Sequence, residues 1–261
     1  MKIFYYFIFS LFFSINCLSQ SIVNTEKLFK KTGEGFGFSA AMTGSSLTGN
    51  AQMTSLEYSA NLVYKNKRNV IKLLLGGEYI DEEQEVISNS IFGQLRYNYS
   101  FNDKNQVFSF YQTQKNEILE LKKRQLFGVG YRKNILQNEL DSSRLFKCDI
   151  SIGVMQEEEI LNSENLLKEE IAHTNFTRMI SSLILLFNIT DNFTLVNTTY
   201  YQPYIKEVVD YRVLNETNLL IEMNEWLSFN VDLEYRYDSD PPSILTTSTD
   251  FNTNFGIIIE L

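Results

Sequence analysis

The chain has a single histidine, so any nucleophile activated by an imidazole must be built on His173. A serine hydrolase needs that serine within hydrogen-bond reach of the ring. Along a strand, same-face neighbours stand two residues away, and those of His173 are Ile171 and Asn175. A serine partner would therefore have to come from a neighbouring strand, and the expectation is a histidine at a loop rim in a chain that is not an enzyme. Oxygen-rich clusters are the next candidate chemistry: DEE at 81–83, EEE at 157–159 and DSD at 238–240. Hard cations favour such donors, but none of the three has the spacing of a defined calcium loop. They are expected to be solvated external charges, with weak divalent bridging to lipopolysaccharide as the lesser reading. No cofactor is implied, because no helix follows Gly76, Gly77, Gly93, Gly128, Gly130 or Gly153 to complete a phosphate cradle.

What remains is a set of charges spaced by two. In a strand with period-two alternation, Glu57, Lys72, Glu78, Arg96, Arg124, Lys147, Asp149, Asp210, Arg212, Glu216, Asp232, Glu234 and Arg236 all fall on the polar face. Both signs occur, which suits either a salt-bridge network that fills an interior or a row of charges lining a watery path. The chain as a whole carries 23 basic and 32 acidic residues, a formal net charge of −9. That balance excludes nucleic acid as a partner, since binding it rests on neutralising phosphates.

The elements that position these charges are strands. From Trp226 to Asp238, Leu227, Phe229, Val231, Leu233, Tyr235 and Tyr237 alternate with Ser228, Asn230, Asp232, Glu234 and Arg236. The same alternation runs through 209–222 and 250–261, and weaker versions fall near 35–44, 50–64, 69–80, 86–101, 106–115, 122–133, 144–156, 171–189 and 193–203. Twelve strands result. Their connections alternate between short polar turns (65–68, 102–105, 190–192, 223–225) and longer charged stretches (80–85, 114–123, 157–170, 202–208, 238–249), as a membrane barrel requires. The connection at 134–143 is an exception, long where a short turn is due. Tyr64, Tyr97, Tyr99, Tyr131, Phe187, Phe193 and Trp226 sit beside the short turns, where an aromatic girdle belongs.

The first residues fit export. Lys2 precedes an apolar run ending near Phe13, and Cys17 and Ser19 stand where a signal peptidase reads small residues. The expected organisation is a signal peptide over 1–19, a short periplasmic segment over 20–34 and a barrel over 35–261. Cys148 is then the one remaining cysteine, so the fold must hold without an internal disulfide.

The stretch YRYDSDPP (Tyr235 to Pro242), followed by Thr249 and Asp250, resembles the domain-of-unknown-function family 481, whose members are described as salt-induced outer-membrane proteins. Gly35 to Asn50, Phe127 to Arg132 and Cys148 to Glu159 are similar to its opening and middle. The resemblance implies an outer-membrane barrel and marks Tyr237, Asp238, Asp240, Pro241, Pro242 and Asp250 as a family-like loop motif. The final Leu261 departs from the aromatic end that such barrels usually carry. The reading as a whole is an all-β, single antiparallel transmembrane barrel of the outer membrane. Its expected partners are outer-membrane lipid, lipopolysaccharide and, during biogenesis, the barrel-assembly machinery. A structural or stress-related envelope role comes first, a narrow channel second and an outer-membrane lipid hydrolase a distant third.

Overall fold

A computed structural model describes residues 24, 33–47, 53–82, 85–117, 121–139, 144–162, 172–241 and 248–260. The leader over 1–19, with Lys2, Cys17 and Ser19, and the proline at 242 lie outside these residues. The described chain forms twelve strands: β1 (Gly35–Leu47), β2 (Met53–Asn66), β3 (Asn69–Glu82), β4 (Glu85–Asn102), β5 (Asn105–Asn116), β6 (Leu121–Glu139), β7 (Leu145–Leu161), β8 (His173–Thr190), β9 (Phe193–Pro203), β10 (Tyr211–Glu222), β11 (Leu227–Asp238) and β12 (Thr249–Glu260). Each pairs antiparallel with the next, and β1 closes on β12 through Ser39↔Glu260 to Thr43↔Gly256. Closure leaves no edge strand, as a structure surrounded by lipid demands.

Strand length follows the same logic. The shortest strand has 11 residues and the longest 19, against about 9–11 needed to cross a bilayer. The faces are inverted relative to a soluble protein. Phe36, Leu62, Leu75, Leu95, Phe127, Ile152, Leu183, Phe255 and Ile257 are exposed around the circumference, while Asn61, Gln94, Arg96, Gln112, Arg124, Arg178, Arg212 and Glu216 are buried inside. Such a continuous exposed apolar belt is stable only against lipid.

The short turns are set by asparagines. Asn102 Oδ1 accepts from the backbone N–H of Lys104 and Asn105, both at 3.0 Å. Asn224 Oδ1 does the same for Trp226 at 3.0 Å and Leu227 at 2.9 Å. These side chains stand in for missing backbone partners. At the β2–β3 turn, Lys67 takes the left-handed conformation with φ 51°. Girdle tyrosines reach toward this end: Tyr97 Oη donates to Asn69 Oδ1 at 2.7 Å, and Tyr131 Oη to Asn105 Oδ1.

The exceptional connection at 134–143 is mostly strand. β6 and β7 continue pairing from Asn134↔Asp149 to Glu139↔Leu145, across a register shift between Asn134 and Leu136. Asn134 Nδ2 fastens the shift to Asp149 Oδ1 at 2.7 Å. The hairpin thus projects beyond its neighbours at the short-turn end. The strand near 181–188, apolar on both faces, takes the register that buries Ile180, Ser182 and Ile184 and leaves Leu183 and Phe187 outside.

Candidate functional site in the barrel lumen

Two different environments divide the lumen. On the β5–β10 wall, Phe108, Phe110, Leu126, Met155, Ile180, Tyr200 and Leu214 pack into one buried apolar cluster. Glycines opposite the rings make this possible: Phe108 faces Gly130 and Phe110 faces Gly128 in register. A Cβ on Gly128 would lie 2.3 Å from Phe110 Cε1, and one on Gly130 2.4 Å from Phe108 Cζ. The inward glycines therefore leave room for a neighbour's ring, as their parity suggests. Arg96 lies on this cluster, its guanidinium 4.3 Å from the Phe108 ring centroid and its Nε 3.2 Å from Asn98 Oδ1. That geometry combines a cation–π contact with a charge kept out of lipid.

Above the cluster, toward the long-loop end, seven charged side chains interlock. Arg124 Nε donates to Glu159 Oε1 at 2.5 Å and lies 3.3 Å from Glu157 Oε1. Arg178 Nε donates to Glu157 Oε2 at 2.7 Å, and its two terminal nitrogens grip Asp210 at 2.8 and 3.1 Å. Arg212 Nε donates to Asp238 Oδ2 at 2.7 Å, and its Nη1 reaches Glu157 Oε1 at 2.5 Å and Glu159 Oε1 at 3.1 Å. Three guanidiniums and four carboxylates thus satisfy one another, the condition under which buried charges are tolerated.

This network corrects the sequence reading of two acidic clusters. Glu157 and Glu159 were expected in an external loop, and Asp238 among solvated charges, yet all three are buried. The reason is that β7 runs on to Leu161, and Met155, Glu157, Glu159 and Leu161 share its inward face. Charged residues on both faces, with Glu158 outside, erase the apolar–polar alternation there. Arg178, paired to both Glu157 and Asp210, is a member of the network that the sequence reading missed. Its signal was parity, since it shares the inward face of β8 with Ile180 and Ser182.

Asp210, Arg212, Arg124 and Arg96 of the expected lumen set are therefore inside, as are Asp149 and Lys147, which pair at 2.9 Å near the short-turn end. Lys72 stands half-buried opposite Arg96 in register. Asp210 lies in the tight β9–β10 loop, where its N–H donates to Glu207 O at 2.9 Å and its carbonyl accepts from Tyr204 N at 2.8 Å.

The remaining expected charges gather on the opposite wall, around a cavity of about 140 Å³. Glu57, Glu78, Glu216, Asp232, Glu234 and Arg236 line it, with Asn218, Asn230, Asn252 and Asn254. Arg236 pairs with Glu234 at 2.7 Å, and Asn254 Nδ2 donates to Glu57 Oε1 at 3.1 Å. Asn24, expected in a periplasmic segment, is buried and lines the same cavity.

In the loop motif, Tyr237 faces outward and packs on Tyr211 with ring centroids 5.5 Å apart, while Asp250 is buried opposite Arg236. Asp240 N donates to Asp238 Oδ1 at 3.1 Å. Partial burial, with the Asp210 and Asp238 carboxylates nearby, holds the Asp240 carboxyl above its ordinary range. Asp240 and Pro241 end the described part of that loop. His173 begins β8 at the surface, with Nε2 2.9 Å from Glu158 Oε1, so the ring meets a carboxylate there and not a serine. Among the described residues no three His, Cys, Asp or Glu side chains converge as metal ligands.

The fold is similar to that of solved outer-membrane barrels. An outer-membrane channel of the COG4313 group from Pseudomonas putida F1 aligns with a TM-score of 0.53 at 9% identity, covering 92% of this chain and all of that one (100%). The NanC porin aligns with a TM-score of 0.51 at 10% identity, covering 87% of this chain and 100% of that one. At such identities the likeness speaks for fold alone. No curated protein matches this chain. The family model described as "Protein of unknown function, DUF481" matches residues 40–260, and this outer-membrane β-barrel belongs to that family.

Proposed function

We propose that this chain is a structural barrel of the outer membrane whose lumen is closed by its own side chains. The observation that carries this reading is the filled β5–β10 half. Seven apolar side chains pack there beneath seven mutually paired charges, where an open pore would place water. Polar ladders extend the filling: Gln94 Nε2 donates to Gln112 Oε1 at 2.8 Å, and Gln112 Nε2 to Gln114 Oε1 at 2.5 Å. A twelve-stranded barrel lies between filled eight-stranded and open sixteen-stranded cases, so support for closure comes from the side-chain filling. The exposed apolar belt supports bilayer lipid as the surrounding partner, with lipopolysaccharide at the long-loop end. The surface position of His173, paired to Glu158, supports a barrel without hydrolase activity.

The test is single-channel recording in a planar bilayer with protein whose folding is verified by heat-shifted gel mobility. Closure predicts silence. Steady conductance steps that change in Arg236→Ala would instead establish a narrow channel. One observation favours that second reading: the acidic cavity would form a cation-selective path.

A further inference from the structure

The outer wall of β9 and β10 carries polar groups where the rest of the belt is apolar. Asn197 and Thr199 share a strand face with Leu195, and Asn215 and Thr217 share one with Leu219, opposite the buried Tyr200 and Leu214. All four therefore point outward. On β9 the pair stands between Phe193 at the short-turn end and Tyr201 at the long-loop end, and on β10 between Ile221 and Tyr211. That depth is the middle of the apolar belt, where water does not reach and unsatisfied polar groups are costly.

Register joins the four into one patch, with Asn197 opposite Thr217 and Thr199 opposite Asn215. Asn197 Nδ2 donates to Thr217 Oγ1 and Asn215 Nδ2 to Thr199 Oγ1, each at 2.7 Å, and the two amides meet at 3.3 and 3.4 Å. Each hydroxyl accepts in these contacts, so its own proton is left to be donated outward. The amide oxygens, with two lone pairs each, keep acceptor capacity on the same side. The patch is thus uncharged, offers both donors and acceptors, and is framed by Leu183, Leu185, Leu195, Leu219 and Leu233.

Its occupant follows from symmetry. Copies inserted into one membrane share one orientation, so the closed pairing of two is a rotation about the membrane normal. Such a rotation keeps every residue at its own depth, and a patch at mid-bilayer meets the same patch on the second copy. Hydrocarbon offers neither donor nor acceptor. A second copy offers both, and side chains of these types hold membrane helices together in the same way. We propose that the outer face of β9 and β10 is the interface of a homodimer within the membrane, with Asn197, Thr199, Asn215 and Thr217 hydrogen-bonding to the same patch of the second copy. The inference does not depend on whether the lumen conducts.

Sedimentation equilibrium of the folded barrel in density-matched detergent micelles, over a range of protein-to-detergent ratios, reads the association directly. The expected result is a reversible equilibrium that stops at two copies. Asn197→Leu/Asn215→Leu should weaken it by about 10-fold or more. The same variant should keep its heat-shifted mobility and, as dilute monomer, a urea midpoint equal to the parent's or higher, because apolar groups replace amides that face lipid. A merely structural role for the amides would lower that midpoint instead. Thr199→Val/Thr217→Val keeps the shape and removes only the outward hydroxyls; it should weaken association as well, and it carries the test if the leucine variant does not fold. Ser109→Leu, on the outer face of β5 beside the exposed Tyr97 and Val129, should leave association unchanged. Monomer at every ratio overturns the proposal, as does a dimer that the folded double variants leave as tight as the parent, or one that Ser109→Leu weakens equally.

Discussion

Replacing Arg212 with methionine should produce the largest stability loss of any single lumen substitution on the β6–β11 side. The guanidinium touches three carboxylates, with Nε on Asp238 at 2.7 Å and Nη1 on Glu157 and Glu159 at 2.5 and 3.1 Å. Methionine matches much of the stem's volume, so the change isolates charge and hydrogen bonding from packing. Afterwards Glu157, Glu159, Asp210 and Asp238 are left with two arginines, and Asp238 loses its arginine. Breaking a buried ion pair by removing one partner costs about 3–5 kcal/mol. Arg212→Lys should recover less than half, because an ammonium cannot reach three carboxylates in a fork. Arg212→Met/Asp238→Asn should recover more, since it also removes the stranded charge. The assay is urea unfolding in lipid vesicles, reported by Trp226, the only tryptophan in the chain. That indole is exposed at the short-turn end, far along the barrel from the substitution. A methionine variant within about 0.5 kcal/mol of the parent would refute the reasoning: the network would then be solvated by water entering an open lumen.

Three further outcomes follow from the same geometry. Gly153→Ala should be more damaging than Gly128→Ala. Its Cβ would meet backbone, Val129 O at 2.3 Å, whereas that of Gly128 meets the movable Phe110 ring; overpacking of about 1–3 kcal/mol is expected for the latter, read by heat-shifted mobility. His173→Ala should leave phospholipid unhydrolysed, as in the parent, and the urea midpoint unchanged within error. Any lipid turnover by the parent that the variant abolishes would revive a hydrolase. Asp240→Asn tests the loop carboxylate by its pH dependence. A folded-state pKa raised above the unfolded value means the folded chain holds that proton more tightly, so stability falls as pH rises from the ordinary carboxylate range through the raised value. The asparagine variant should therefore gain on the parent above that window and match it below, in urea midpoints compared across pH.

The barrel was legible because period two is imposed by two solvents at once. Lipid outside and polar filling inside force every residue from Leu227 to Asp238 into alternation, and all twelve strands follow from that constraint. The short turns were legible through asparagine. The strand ends were not, because alternation fails where strands rise out of lipid. In β7 the outward Glu158 is as charged as the inward Glu157 and Glu159, so a loop and a strand look alike in sequence. The hairpin of β6 and β7 escaped for the same reason, with the consecutive Ile135 and Leu136 both exposed at the register shift that follows Asn134. Parity assigned Glu57, Glu78, Glu216, Asp232, Glu234 and Arg236 to the interior, but which wall each shares depends on pairing register across the closed sheet. Glu57 and Asn254 are in hydrogen-bond contact although far apart in sequence, joined across the β1–β12 seam.

That division between walls bears on what the molecule gains from its interior. A network with nearly balanced charge needs nothing from outside, and apolar rings packed beneath it exclude water from the same half. Stability there is a property of the protein alone. The opposite wall is polar throughout, with Glu57, Glu78, Glu216, Asp232, Glu234 and Arg236 around a cavity of about 140 Å³, so its contribution to stability depends on how those charges are paired and solvated. The loss in Arg212 variants should therefore be set by the balanced network alone, and neutralising Arg236 on the other wall should add to it as an independent term.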